Sequence, residues 1–130
     1  MRYLTGRFAV GALRRGKAIE QFLGGFEVLG EPALRWVVIS PMNRRYRVSL
    51  HTVRVPEDDN FGDLANLLSL DPVDEAYVGE GRELGVRDTE NEAVRLAADL
   101  AGADPRRWVN DGLAGEECRD FVRARRESPR

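Results

Sequence analysis

The stretch Leu34–Val55, LRWVVISPMNRRYRVSLHTVRV, constrains the fold more than any other part of the chain. Two runs rich in β-branched and aromatic residues flank a short polar segment, the pattern of a β-hairpin. Side chains of a strand alternate between its two faces. Leu34, Trp36 and Val38 therefore share one face of the first strand, and Tyr46, Val48 and Leu50 share one face of the second. With one sheet face on a core and the other in water, both sets belong on the core side. Trp36 then needs an even-numbered partner, Leu50 or Thr52. That requires an odd loop, of three or five residues, within Pro41–Arg45. A two-residue turn at Asn43-Arg44 would instead set Trp36 beside His51. Pro41 suits a strand end, and Asn43 tolerates left-handed backbone.

The chain has 130 residues, the size of one domain with a core that needs no staples. Its 42% hydrophobic and 32% charged content fits a soluble globular protein. No apolar run approaches the ~20 residues of a membrane span. The N-terminus, interrupted by Arg7, Arg14 and Arg15, makes a poor signal peptide. Cys118 is the single cysteine, which excludes an internal disulfide and makes a cytoplasmic location the default expectation. Net charge is −2, so no global basic field marks a nucleic-acid binder. The charge is unevenly spread. From Glu57 to Glu80 every charged residue is acidic: Glu57, Asp58, Asp59, Asp63, Asp71, Asp74, Glu75 and Glu80. The N-terminal stretch carries Arg2, Arg7, Arg14, Arg15 and Lys17 against Glu20 alone. Such asymmetry is a partner signal.

Taken in order, residues 1–17 suggest an N-terminal extension, flexible or a short strand, outside a single domain over 18–126. Ala18–Leu23 has the spacing of a short helix ended by Gly24-Gly25. After the hairpin, Leu64, Leu67 and Leu68 recur at helical spacing behind Asp63. Arg82–Arg87 alternates as a further strand. Thr89–Ala101 carries the clearest helix, with Thr89 and Glu92 as a capping box and Gly102 as the stop. Asp104-Pro105 suggests a short helix over 105–110, and a last helix over 115–126 turns Cys118, Phe121 and Val122 inward. Residues 127–130 form a frayed tail.

The inventory for chemistry is thin. His51 is the one histidine, so a Ser-His-Asp or Cys-His site would have to use it as base. The register argued above puts His51 opposite Trp36, on a face with Arg35, Arg47 and Ser49. Cys118 sits on an apolar helix stripe and suits a core role. One His and one Cys make no usual zinc set. An EF-hand alignment on Gly62 places Phe61 and Leu68 at ligand positions and fails. Gly79–Gly85 misses the dinucleotide fingerprint by one residue and precedes a strand. No cofactor and no metal is expected.

Two surfaces remain as binding candidates. One is the acidic stretch, with Glu57, Asp58, Asp59, Phe61, Asp63, Asp74, Glu75 and Tyr77 as partner-binding residues for a basic protein. The other is an arginine-rich hairpin face, Arg35, Arg44, Arg45, Arg47 and His51, which would meet nucleic-acid phosphates.

The segments FGDLANLLSLDP (61–72), GADPRRWVNDG (102–112) and EECRDFVRAR resemble small uncharacterised actinobacterial proteins of the immunity type, the partners of secreted polymorphic toxins. The resemblance spans roughly residues 18–126 and carries over no functional residue. It implies a protein that blocks a toxin.

The expectation is thus an α+β fold: a small antiparallel sheet with the hairpin 34–55 and a strand near 82–87, packed by helices 89–101, 105–110 and 115–126. The first and last of these helices would lie on the Trp36 face. The expected function is a non-enzymatic immunity protein or inhibitor that binds a basic toxin or nuclease. A nucleic-acid-binding regulator is the alternative, and an RNase-like enzyme using His51 a more distant one.

Overall fold

The computed structural model describes residues 3–28, 30–55 and 81–127. The fold is α+β. Its elements are α1 (Gly6–Arg14), β1 (Ile19–Val28), β2 (Glu31–Met42), β3 (Arg45–Arg54), β4 (Arg82–Arg87), α2 (Glu90–Ala101), β5 (Val109–Asn110) and α3 (Ala114–Glu127). The five strands form one antiparallel sheet in the order β4-β3-β2-β1-β5.

The hairpin is present, but its loop has two residues, not an odd number. Met42 pairs with Arg45, and Asn43 and Arg44 have φ of 48° and 66°. Two successive left-handed residues make the turn whose twist matches paired strands. Even residues of β2 consequently pair with odd residues of β3, and Trp36 lies opposite His51. The expected odd loop rested on a sheet with one wet face, and this sheet has none at its centre. Val37, Ile39 and Val48 are buried on one side, Leu34, Trp36 and Val53 on the other. When both parities of a strand are apolar, hydrophobicity no longer selects a register, and the turn decides it.

The helices divide accordingly. α1 and α2 cover the Val37–Ile39 face, through Ala9, Ala12, Leu13, Ala93, Leu96 and Ala97. Among the described residues α3 is the helix that covers the Trp36 face, through Cys118, Val122 and the half-buried Phe121. Placing α2 on the Trp36 side is therefore incorrect, as is grouping Val48 and Leu50 with Trp36.

Three local assignments also change. Residues 3–17, the described part of the expected extension, belong to the fold: Ala9, Ala12 and Leu13 sit at i, i+3 and i+4 of α1 and are buried, and the Leu4 amide donates to the Trp108 carbonyl at 2.7 Å. Ala18–Leu23 is not helical but opens β1, where Ile19 pairs with Ile39 and Phe22 with Trp36. Residues 105–110 form a turn and the short β5 in place of a helix, because Val109 and Asn110 pair with Glu20 and Ile19. Sheet pairing and burial outweigh a weak local helical pattern in both places. The helix at Thr89 matches expectation: Thr89 Oγ1 accepts from the Glu92 amide at 3.2 Å and donates to Glu92 Oε1 at 2.8 Å, and Gly102 ends it at φ 72°. The strand Arg82–Arg87 and the last helix also stand.

Two neighbouring polar residues of β1 hold the C-terminal third. Glu20, buried on the α3 face, accepts from the Gly112 amide at 2.8 Å and the Ala114 amide at 2.9 Å through Oε1. Its carboxylate thus meets the free amides and positive end of α3. Gln21 points to the other face, where its side-chain amide donates to the Asp104 carbonyl at 2.8 Å and accepts from the Asp104 amide at 2.7 Å. Removing a buried acceptor leaves its donors unsatisfied, at about 1–3 kcal/mol each. Glu20→Ala is expected to lower the unfolding free energy by about 2–4 kcal/mol in urea titration, and Glu20→Gln, which retains an acceptor oxygen, by less. Conversely, a side chain in left-handed backbone costs about 1 kcal/mol or more. Arg44→Gly should therefore raise the thermal midpoint without altering the fold.

Candidate binding surfaces

The acidic residues Glu57, Asp58, Asp59, Phe61, Asp63, Asp74, Glu75 and Tyr77, and the expected helix after Asp63, lie outside the described residues. The second candidate, the arginine-rich hairpin face, is not one surface. Arg35 lies on the α1/α2 side, where Nε donates to Thr52 Oγ1 at 3.2 Å and the guanidinium stands 4.7 Å from the centre of the Phe26 ring. Arg47 lies on the opposite side and pairs with Glu83 at 3.1 Å. Arg45 pairs with Asp88 at 2.8 Å, and Arg44 is exposed at the turn. The two-residue turn that set Trp36 against His51 is what separates Arg35 from Arg47.

His51 itself is inside. Its ring stacks on Trp36 with centroids 4.7 Å apart and planes 9° from parallel, and Ser49 Oγ is 3.3 Å from Nε2. A histidine placed on the face opposite Trp36 is thus corrected to one packed against it. Ser49 and His51 are both buried, at 2% and 8% exposure. Gly81 seals the ring: a Cβ there would stand 2.7 Å from Nε2, and its φ is 75°. Serine and histidine at i and i+2 on one strand face have the reach of a nucleophile and base, but here they meet each other beneath other atoms. Cys118 is buried on α3, and desolvation pushes its thiol up to about 12, so it is a packing residue.

A third surface is one that the sequence concealed. On α1 the residues Arg7, Gly11, Arg14 and Arg15 follow at i, i+4, i+7 and i+8, the outward stripe opposite Ala9, Ala12 and Leu13. With Gly6, Phe8, Val10 and, from α2, Asn91, they line an open dish of about 460 Å³. Phe8 at its rim is 61% exposed. The Arg15 guanidinium lies over Gly11, where a Cβ would approach Nη1 to 3.2 Å. Arg14 reaches Glu90 at 3.4 Å with its side chain still 68% exposed. Among the described residues Arg7 and Arg15 have no acidic partner within 4.0 Å. The basic N-terminal run was the signal for this surface, and Gly6, Gly11 and Gly16 obscured the helical spacing.

The dish is fixed to the fold at Glu90. Tyr46 OH donates to Glu90 Oε1 at 2.8 Å, so β3, α1 and α2 meet at one carboxylate. Glu90's carboxyl is lowered from its usual 4.5 by its own backbone amide, then by the Tyr46 hydroxyl and Arg14. Burial, helped by Glu90, raises the Tyr46 hydroxyl.

Among the described residues no group of three or more His, Cys, Asp or Glu is placed to hold a metal ion, and no helix is long and apolar enough to cross a membrane. Searches against protein-family models, curated proteins and solved structures find no match to the chain.

A carboxyl whose pKa is lowered on folding stabilises above its unfolded pKa and loses that contribution as pH falls through the folded one. The stability difference between the wild type and Glu90→Gln is therefore expected to be full above pH 4.5 and to vanish on further acidification. Urea titrations across that range, with Tyr46→Phe for comparison, provide the check.

Proposed function

We propose that this protein is a non-enzymatic binding module, an immunity protein or inhibitor that neutralises a basic toxin or nuclease through its acidic stretch. One observation carries the reading. β3 and β4 are adjacent antiparallel strands, which a two-residue turn suffices to join. The chain between Arg54 and Arg82 instead spends eight acidic residues, Glu57 to Glu80, and no basic one. Long connections with a single sign of charge are characteristic of surfaces that meet a partner, and one sign of charge speeds association with the opposite sign. The resemblance to actinobacterial immunity-type proteins points the same way. His51, which would serve an RNase-like enzyme together with Arg35 and Arg47, is buried and stacked on Trp36, and the two arginines lie on opposite faces of the sheet. The hairpin arginines that would serve a nucleic-acid binder are split between two faces or paired with Glu83 and Asp88.

The test is affinity capture with the full chain, followed by binding measurements on the captured protein. An open reading frame beside its gene that encodes a large secreted protein with a variable C-terminal toxin domain would supply a defined partner. Reversing Asp58, Asp59 and Asp63 together to Arg is expected to weaken that complex about tenfold or more, chiefly through the association rate and most at low salt. Arg44→Ala and Arg47→Ala should leave it intact. Capture of nucleic acid alone, or indifference to the charge reversal, overturns the proposal.

A further inference from the structure

The α1 dish is separate in sequence and charge from the acidic stretch, and its chemistry is different. We infer that it is a site for a soluble, phosphate-bearing ligand of nucleotide size, with Arg7, Arg14 and Arg15 on the phosphates and Phe8 against a flat apolar group.

The argument begins with the number of guanidiniums. A lone carboxylate is satisfied by one arginine fork, whereas three arginines around one hollow match an anion with several charges and more than two acceptor oxygens. Phosphoryl groups in series have that character. The glycine stripe admits them. Gly6 has no atom within 4 Å of the space a Cβ would take, and Gly11 lets the Arg15 guanidinium lie on the helix backbone. Arg7 and Arg15 are without acidic partners among the described residues, and Arg14, which touches Glu90 through Nε, keeps most of its side chain exposed. The hollow, about 460 Å³, lies within the range of small-ligand sites, roughly 300–1,000 Å³.

Phe8 decides between sources of phosphate. An exposed ring beside arginines offers a stacking face for a planar group, as bases use. A membrane headgroup would also present phosphate, but docking on lipid needs a broad apolar helix face. Here that face, Ala9, Ala12 and Leu13, is committed to the core. The soluble ligand is the better match.

The experiment uses the full chain and three probes at low salt without divalent metal: inorganic pyrophosphate, adenosine triphosphate, and vesicles of phosphatidylglycerol. Backbone amide shifts are followed by NMR, and affinities by calorimetry. The expected result is a set of shifts confined to Gly6–Gly16 and Asn91, with the triphosphate binding more tightly than pyrophosphate. Arg7→Gln and Arg15→Gln, both on exposed side chains, should each weaken both soluble probes about tenfold, the equivalent of one charge-assisted contact. Phe8→Ala should erase the advantage of the nucleotide and leave pyrophosphate binding as it was. Gly11→Ala improves the helix, so its thermal midpoint should not fall, while the added methyl displaces Arg15 and lowers affinity. Three results overturn the inference. One is shifts of equal size at Arg44 and Arg45, the mark of nonspecific attraction. Another is affinities unchanged in both Arg7→Gln and Arg15→Gln. The last is no binding of either soluble probe, whether or not vesicles bind.

Discussion

The two left-handed residues at Asn43-Arg44 set the parity on which the rest of the structure depends. A turn of two residues pairs even with odd across β2 and β3, and from that follows which side chains share a face. Trp36 joins His51, Ser49 and Arg47, while Val37 and Ile39 join Leu50, Val48 and Tyr46. Neither group is polar enough to be left in water. Burying a large apolar side chain is worth about 1.5–3 kcal/mol, so a sheet with apolar residues at both parities must be covered twice. α1 with α2 and α3 provide the two covers, and the N-terminal residues are drawn into the core as a result.

The second constraint lies in β1, between β2 and β5. Glu20 and Gln21 are adjacent, buried and opposite in direction, so one strand ties a segment to each face of the sheet. Glu20 fixes where α3 begins, through the amides of Gly112 and Ala114. Gln21 fixes the chain at Asp104 in the manner of a strand pair. A surface cluster reinforces this arrangement. Tyr3 OH donates to Glu117 Oε2 at 2.8 Å and Arg107 Nη2 to Glu117 Oε1 at 2.6 Å, linking the residues before α1 to α3. Such exposed pairs add little energy, while the buried pair of β1 determines where the C-terminal third sits.

These constraints also sort the polar residues by use. His51, Ser49 and Cys118 are enclosed, Arg35 and Arg47 are engaged with neighbours in the sheet, and Arg45 with Asp88 just beyond β4. On α1, by contrast, Arg7, Arg14 and Arg15 are turned outward and line the basic dish.

Local chemistry was sufficient for some of this. Thr89 with Glu92, the glycine at 102, the alternation of Arg82–Arg87 and the apolar stripe around Cys118 each specify an element through contacts within a few residues. The existence of the hairpin and the α+β class follow in the same way. Register, the side taken by each helix, the strand at Ile19–Val28 and the helix at Gly6–Arg14 do not. Leu34–Ile39 is apolar at both parities, so its pattern fits two registers, and the turn chooses between them. Ala18–Leu23 has helical spacing, yet its pairing with β2 buries Ile19 and Phe22 more fully than a lone helical turn would. The candidate sites divide by the same rule. The charge of a segment is written in its residues, so both the acidic stretch and the basic N-terminus were visible. Whether arginines converge depends on which face each side chain takes: the tertiary structure dispersed those of the hairpin and gathered those of α1.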